Sequence, residues 1–241
     1  TVVAWALRAL SETGGLEQLA PLRLVVVADE EVGSPEGQGV IGDVIHDAKQ
    51  ALVFEAGRTT DAIITRRRGT GALTVTARGK AAHAGNNHKD GANAIRALAR
   101  FVERAESLTD YAAGVSVNVG IIRGGESKNT VPDFAEAKLD LRFETRASAD
   151  ALLTALRAAA LEVALPGTTL ELQGGVLRSP MERTEKSVSL MQSYAEAAKL
   201  SGLGYAEAGL IGGGSDASTS HALGIASIDG LGPRGIGFHT K

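Results

Sequence analysis

The chain has 241 residues, 44% of them hydrophobic and 22% charged, with 25 Lys and Arg against 28 Asp and Glu for a formal net charge of −3. No Lys/Arg-rich block or basic–aromatic stripe appears, so no nucleic-acid partner is expected, and no apolar run reaches the length of a membrane span, so no membrane partner either. There is no cysteine, which excludes disulfides, thiolate catalysis and Cys-ligated zinc. It also fits either side of a cell membrane, with the cytoplasm as the expectation and the periplasm as the alternative.

Val2 to Leu10 has helical apolar spacing, ended by Gly14-Gly15. Pro21 opens Leu22–Ala28, a near-continuous apolar run of the kind buried in a parallel sheet, with Asp29-Glu30-Glu31 at its C-terminal end. A helix over 39–49 and a second buried strand, Ala51 to Phe54, ending at Glu55, complete an expected right-handed βαβ unit. Acidic residues at the C-terminal ends of adjacent strands stand where open α/β sheets bind ligands. The run Arg66-Arg67-Arg68 reads as a solvated junction.

After Arg68 the pattern changes. Gly71 to Gly79 alternates apolar with small or polar residues, as a half-exposed antiparallel strand does. A helix over 91–105, strands near 115–122 and 135–143, a helix over 148–163 and a strand near 168–173 follow. This β-α-β-β-α-β order is the ferredoxin-like split arrangement. Residues 69–176 are therefore read as an α+β domain inserted into an α/β domain made of 1–68 and 177–241. From Thr184 a helix runs to Leu200, Gly212-Gly213-Gly214-Ser215-Asp216 leads into a short helix, and Ile225 to Ile228 forms a last strand.

An isolated Glu-Glu pair is most often a solvated loop. Here Glu30-Glu31 follows an apolar run, Glu55 closes the next strand, and His239 follows a glycine-punctuated turn. Carboxylates and imidazole are suitable zinc ligands, and a carboxylate beside a metal-bound water can act as general base. His83, in Ala81-Ala82-His83-Ala84-Gly85, would by itself read as structural, as do His46, His88 and His221.

In this order, Asp29-Glu30-Glu31-Val32-Gly33-Ser34, Val53-Phe54-Glu55, Gly79-Lys80-Ala81-Ala82-His83-Ala84-Gly85, Asn129-Thr130-Val131-Pro132, Asp140-Leu141-Arg142, Gly212 to Asp216 and Gly237-Phe238-His239 resemble one known family. It is the di-zinc metallopeptidase family of aminoacylases, glutamate carboxypeptidases and acetylornithine/succinyl-diaminopimelate deacylases, with the carboxypeptidase branch nearest in style. The resemblance implies an α/β catalytic domain with a mostly parallel sheet and an inserted ferredoxin-like lid and dimerisation domain. It implies hydrolysis of an amide bond next to a free carboxylate, in a small N-acyl amino acid or peptide.

By the same resemblance Glu30 is the general base, Glu31 and His239 bind one zinc, and Glu55 binds the other, with cobalt as a substitute metal. His83 reaches the oxyanion across a homodimer formed through the lid domain. Asn129 and Arg142 hold the substrate carboxylate, and Gly213, Gly214 and Ser215 line the pocket. The family's His-x-Asp motif and bridging Asp have no counterpart in the sequence. The catalytic domain accordingly reads as truncated at both ends and the chain alone as inactive. The alternative is a non-catalytic homologue acting in dimerisation or ligand binding.

Overall fold

The computed structural model describes residues 2–237. The chain divides into two compact units, one made of Thr1–Arg67 with Met181–Lys241 and the other of Arg68–Pro180. In chain order the elements are α1 (Val2–Glu12), α2 (Gly37–Ile45), β1 (Gln50–Leu52), β2 (Gly69–Arg78), β3 (Ala82–His83), α3 (Ala94–Glu106), β4 (Ser116–Gly124), β5 (Thr130–Val131), β6 (Phe134–Phe143), α4 (Arg146–Glu162), β7 (Thr169–Arg178), α5 (Glu185–Leu200), α6 (Ala217–Ala222) and β8 (Ala226–Ile228). The fold class is the one expected, α/β with an α+β ferredoxin-like unit. No described helix is long and apolar enough to cross a membrane.

The unit of residues 68–180 is an antiparallel four-stranded sheet in the order β4-β6-β2-β7, the ferredoxin-like order. Its strands bury alternate residues because successive side chains point to opposite faces. Leu73, Val75 and Ala77 of β2 and Ala135, Ala137, Leu139 and Leu141 of β6 share one core with the two helices. In α3 the buried residues are Ala94, Ala97, Leu98, Phe101 and Ala105, the i, i+3, i+4, i+7 stripe of an amphipathic helix. The Asn93 side chain accepts the Arg96 N–H at 2.8 Å and starts that helix. Thr145 and Ser148 form a capping box at the start of α4.

In the other unit the parallel ladder among the described residues joins β1 and β8, with Gln50 opposite Ala226 and Leu52 opposite Ile228. Isolated parallel bridges join Gly57 to Arg234, Ile63 to Glu207 and Arg67 to Ile211. Its small core joins Ile63, Leu190, Met191, Ala226 and Ile228. The expected strand over 22–28 is not formed, and with it goes the expected βαβ pairing. That stretch has no ladder partner among the described residues, and Leu22, Leu24 and Val26 are exposed, Val26 by 82%. Apolar side chains favour a buried strand, but its backbone groups need a neighbouring strand to bond to. What fixes the segment is Arg23, whose guanidinium donates to the Val44 carbonyl at 2.7 Å and pairs with Asp47 beyond α2.

Candidate active site

Glu30 and Glu31 sit in a single 3-10 turn, Glu30–Val32, rather than at the end of a paired strand. The turn is closed by Gly33 at φ 93° and Ser34 at φ 52°. Asp29 anchors it: its carbonyl accepts the N–H groups of Val32 and Ser34, and its carboxylate accepts those of Glu36 and Gly37 at 3.0 and 2.9 Å. Those amides open α2, where a carboxylate is favoured by the unpaired N–H groups and the helix dipole. A side chain at Gly37 would place its Cβ 2.5 Å from Asp29 Oδ1, so only glycine admits this approach. The buried Ser34 then donates to Asp216 Oδ1 at 2.6 Å, tying the glutamate turn to the residue that precedes α6.

Glu55 lies three residues beyond β1, on a backbone that continues the β1–β8 pairing. Val53 N–H bonds Ile228 O, Leu231 N–H bonds Val53 O, Gly232 N–H bonds Glu55 O at 2.8 Å and Gly57 N–H bonds Pro233 O at 2.9 Å. The two segments are in backbone contact, since a Cβ at Gly57 would lie 2.3 Å from Gly232 O and one at Gly232 2.5 Å from Glu55 O. This pairing carries the stretch that leads toward His239 alongside Glu55. His239 itself lies outside the described residues.

Burial pushes the Glu55 carboxyl above its ordinary range, and the charges of Asp229, Glu30 and Asp216 push it the same way while Arg67 opposes them. Four carboxylates and one guanidinium therefore share one electrostatic neighbourhood. Asp229 is fully buried and Arg67 is 7% exposed. Arg67 Nε donates to Asp229 Oδ2 at 2.7 Å and Nη1 donates to the Gly213 carbonyl at 3.0 Å. Ser215 donates to the same Asp229 oxygen at 2.5 Å. The reading of Arg66-Arg67-Arg68 as a solvated junction is thus corrected. The backbone there is extended and alternates, leaving Arg66 exposed and turning Arg67 inward to a buried counter-ion. Arg68 pairs with Glu144 at 3.3 Å.

Glu31 is exposed. Among the described residues, no group of three or more His, Cys, Asp or Glu is spaced to hold a metal ion. Glu31 and Glu55 therefore do not by themselves supply the three protein ligands that a catalytic zinc takes.

His83, Asn129 and Arg142 belong to the other unit. β3 pairs with β5, Ala82 opposite Val131 and His83 opposite Thr130, and Ala84 N–H bonds Asn129 O at 2.8 Å. His83 Nδ1 accepts the N–H groups of Gly85 and Asn86, both at 3.1 Å. That leaves the proton of the neutral ring on Nε2, a donor on an exposed side chain. Asn129 Oδ1 accepts from Ser127. Arg142 is elsewhere. Phe134, opposite Arg78, marks the His83 end of β6, and Arg142 is opposite Thr70. Eight residues at about 3.3 Å each separate the two ends by about 26 Å. The structure thus brings His83 and Asn129 together and does not bring Arg142 to them; Arg142 is bidentate to Asp140, with bonds of 2.8 Å from Nε and Nη2.

Residues 65–168 match the family described as Peptidase dimerisation domain, of the M20 type. Carboxypeptidase G2 of Pseudomonas sp. strain RS-16 is 27% identical over 99% of this chain. Over residues 65–168 the chain is similar to the M20-type peptidase dimerisation domain. Acetylornithine deacetylase of Myxococcus xanthus is 35% identical over 48% of the chain and 33% of its own length. Among solved structures, the aminopeptidase PepT of Bacillus cereus superposes with a TM-score of 0.69 over 84% of this chain at 22% identity, a likeness of fold. The resemblance drawn from the sequence motifs is borne out. The chain spans 58% of carboxypeptidase G2 and 53% of the PepT chain.

The residues that the sequence reading left without a role are Ser34, Arg67, Asp216 and Asp229. Two of them stand inside motifs already marked, at the ends of Asp29–Ser34 and Gly212–Asp216, and Asp229 directly follows the last strand. Arg67 has no such signal, since nothing local separates it from Arg66 and Arg68.

Proposed function

We propose that the protein is a zinc-dependent hydrolase of an amide bond next to a free carboxylate, in a small N-acyl amino acid or peptide. The observation that carries this is the gathering of the Glu30–Glu31 turn, Glu55 and the Gly212–Asp216 loop around one carboxylate-rich site, in a chain related to a carboxypeptidase and a deacetylase. Residues 1–68 and 177–241 belong in this reading to the catalytic domain, and 69–176 form the lid and dimerisation domain. Glu30 is the general base. Glu31, Glu55 and His239 are metal ligands, with His239 and any further donor outside the described residues. Gly213, Gly214 and Ser215 line the substrate pocket.

His83 offers its Nε2–H to the developing oxyanion, and Asn129 and Arg142 recognise the substrate carboxylate. Arg142 suits that role because its planar guanidinium pairs with carboxylates in a bidentate manner, as it does with Asp140. One β-sheet keeps His83 and Asn129 about 26 Å from Arg142. The two sets can serve a single substrate only when a second copy supplies one of them, which supports a homodimer. Among the described residues β4 pairs with β6 and with no other strand, and it carries exposed Ile121 and Ile122, so that edge is offered to the second copy.

The test is a library of N-acyl amino acids and C-terminal glutamyl amides offered to the full-length protein with zinc or cobalt. Hydrolysis with stoichiometric metal is expected, and Glu30→Gln abolishes turnover while retaining the metal. Neither hydrolysis nor bound metal in the full-length protein overturns the proposal. It would favour the non-catalytic reading, in dimerisation or ligand binding.

A further inference from the structure

Gly212 and Gly213 present an unexplained absence of side chains. Neither has a left-handed φ, and a Cβ built on either meets nothing within 4 Å. The fold itself therefore does not require glycine at these two positions. Open space above the backbone is instead what a closely approaching ligand needs. A run of three glycines is also the stretch of backbone with the most freedom to lose, so a ligand surface built on it has to be held from outside.

The hold is visible. Arg67 Nη1 donates to the Gly213 carbonyl at 3.0 Å, and Asp229 Oδ2 accepts from both Arg67 Nε at 2.7 Å and the Ser215 hydroxyl at 2.5 Å. Ser215 Oγ in turn accepts the Ala217 N–H at 3.2 Å. Both ends of the buried pair are fixed in backbone. Asp229 and Ile64 exchange N–H···O bonds, as do Arg67 and Met181. Gly230 N–H occupies the other Asp229 oxygen. A buried ion pair is a poor source of net stability but a good means of fixing one arrangement over another.

We infer that Arg67 is a positioning residue, which uses its fork between Asp229 and the Gly213 carbonyl to hold the Gly212–Ser215 backbone in the conformation that receives substrate. This rests on the proposed role of that loop in the substrate pocket. The fork is the essential part. Lysine keeps the charge but offers a compact ammonium in place of a planar group that reaches two acceptors in fixed directions.

Two readouts test it. In the 241-residue chain, hydrogen exchange of Gly212–Ser218 is measured in wild type, Arg67→Lys and Ser215→Ala. The Ala217 amide is expected to exchange at least tenfold faster in both variants, with the β1–β8 amides unchanged. Unchanged exchange at Ala217, or an equal rise throughout β1 and β8, overturns the inference. In the full-length enzyme, Arg67→Lys raises KM at least tenfold and changes kcat less than twofold; lowered kcat at constant KM overturns it as well. A wild-type protein without hydrolase activity counts against the proposed function alone, because the exchange experiment still decides what holds the loop.

Discussion

Gly79→Ala tests the backbone contact that leads from β2 into β3. Gly79 lies between β2 and β3, and a Cβ there would stand 2.0 Å from the Ala92 carbonyl oxygen and 3.2 Å from Ala94 N. Ordinary contact begins near 3.4 Å, so Ala92 has to move by more than an ångström. That carbonyl accepts Lys80 N–H at 2.9 Å, and Ala92 N–H returns a bond to Lys80 O at 2.9 Å. Losing both bonds costs about 1 kcal/mol each, and the overpacking adds about 1–3 kcal/mol. The sum is about 3–5 kcal/mol, which for a unit of this size lowers the melting temperature by more than about 10 °C. Scanning calorimetry of the 241-residue chain measures it. Gly175→Ala is the control, since a Cβ there meets nothing within 4 Å. A Gly79→Ala midpoint within about 2 °C of the parent would refute the reasoning from backbone contact.

Asp229→Asn leaves the buried Arg67 guanidinium without its carboxylate, and breaking one partner of such a pair costs about 3–5 kcal/mol; urea unfolding followed by circular dichroism should show the lowered midpoint. The Asp61 carboxyl is held down at about 2 by hydrogen bonds from Arg234 and then from Gly204 N–H. A depressed folded-state pKa contributes stability that is present above the ordinary value of 3.8 and is lost as pH falls toward about 2. Asp61→Asn should therefore flatten the loss of stability between about pH 4 and pH 2, and an unchanged acid limb in unfolding curves would count against that pair. His221 runs in the same direction for another reason: burial lowers its pKa from 6.5, so protonation opposes folding. Its neutral form gives full stability above that value, and His221→Gln should remove a decline seen in the same unfolding curves below it.

The ferredoxin-like unit was legible because its elements are amphipathic by themselves. The stripe of α3 and the alternation of β2 and β6 state which face is buried without reference to any partner. The 22–28 stretch differs from its sequence pattern for the converse reason: six apolar positions in seven indicate a strand, but its pairing depends on another part of the chain. The active-site candidates divide similarly. Glu30, Glu31 and Glu55 carry a pattern of acidic residues after apolar runs. Arg67 with Asp229 and Ser34 with Asp216 are contacts across 162 and 182 residues, and nothing local to either sequence position announces the partner.

The length of β6 has a genetic consequence. In a homodimer whose sites each draw Arg142 from one copy and His83 from the other, damage to the two residues can be sorted between subunits. A mixed dimer of His83→Ala and Arg142→Ala chains collects both defects in one site and leaves its second site whole. Two inactive preparations, unfolded and refolded together, would then yield active molecules, with about a quarter of all sites restored at equal mixing and random pairing. In such a dimer a ten-residue strand would make each polypeptide's fitness depend on the sequence of its neighbour.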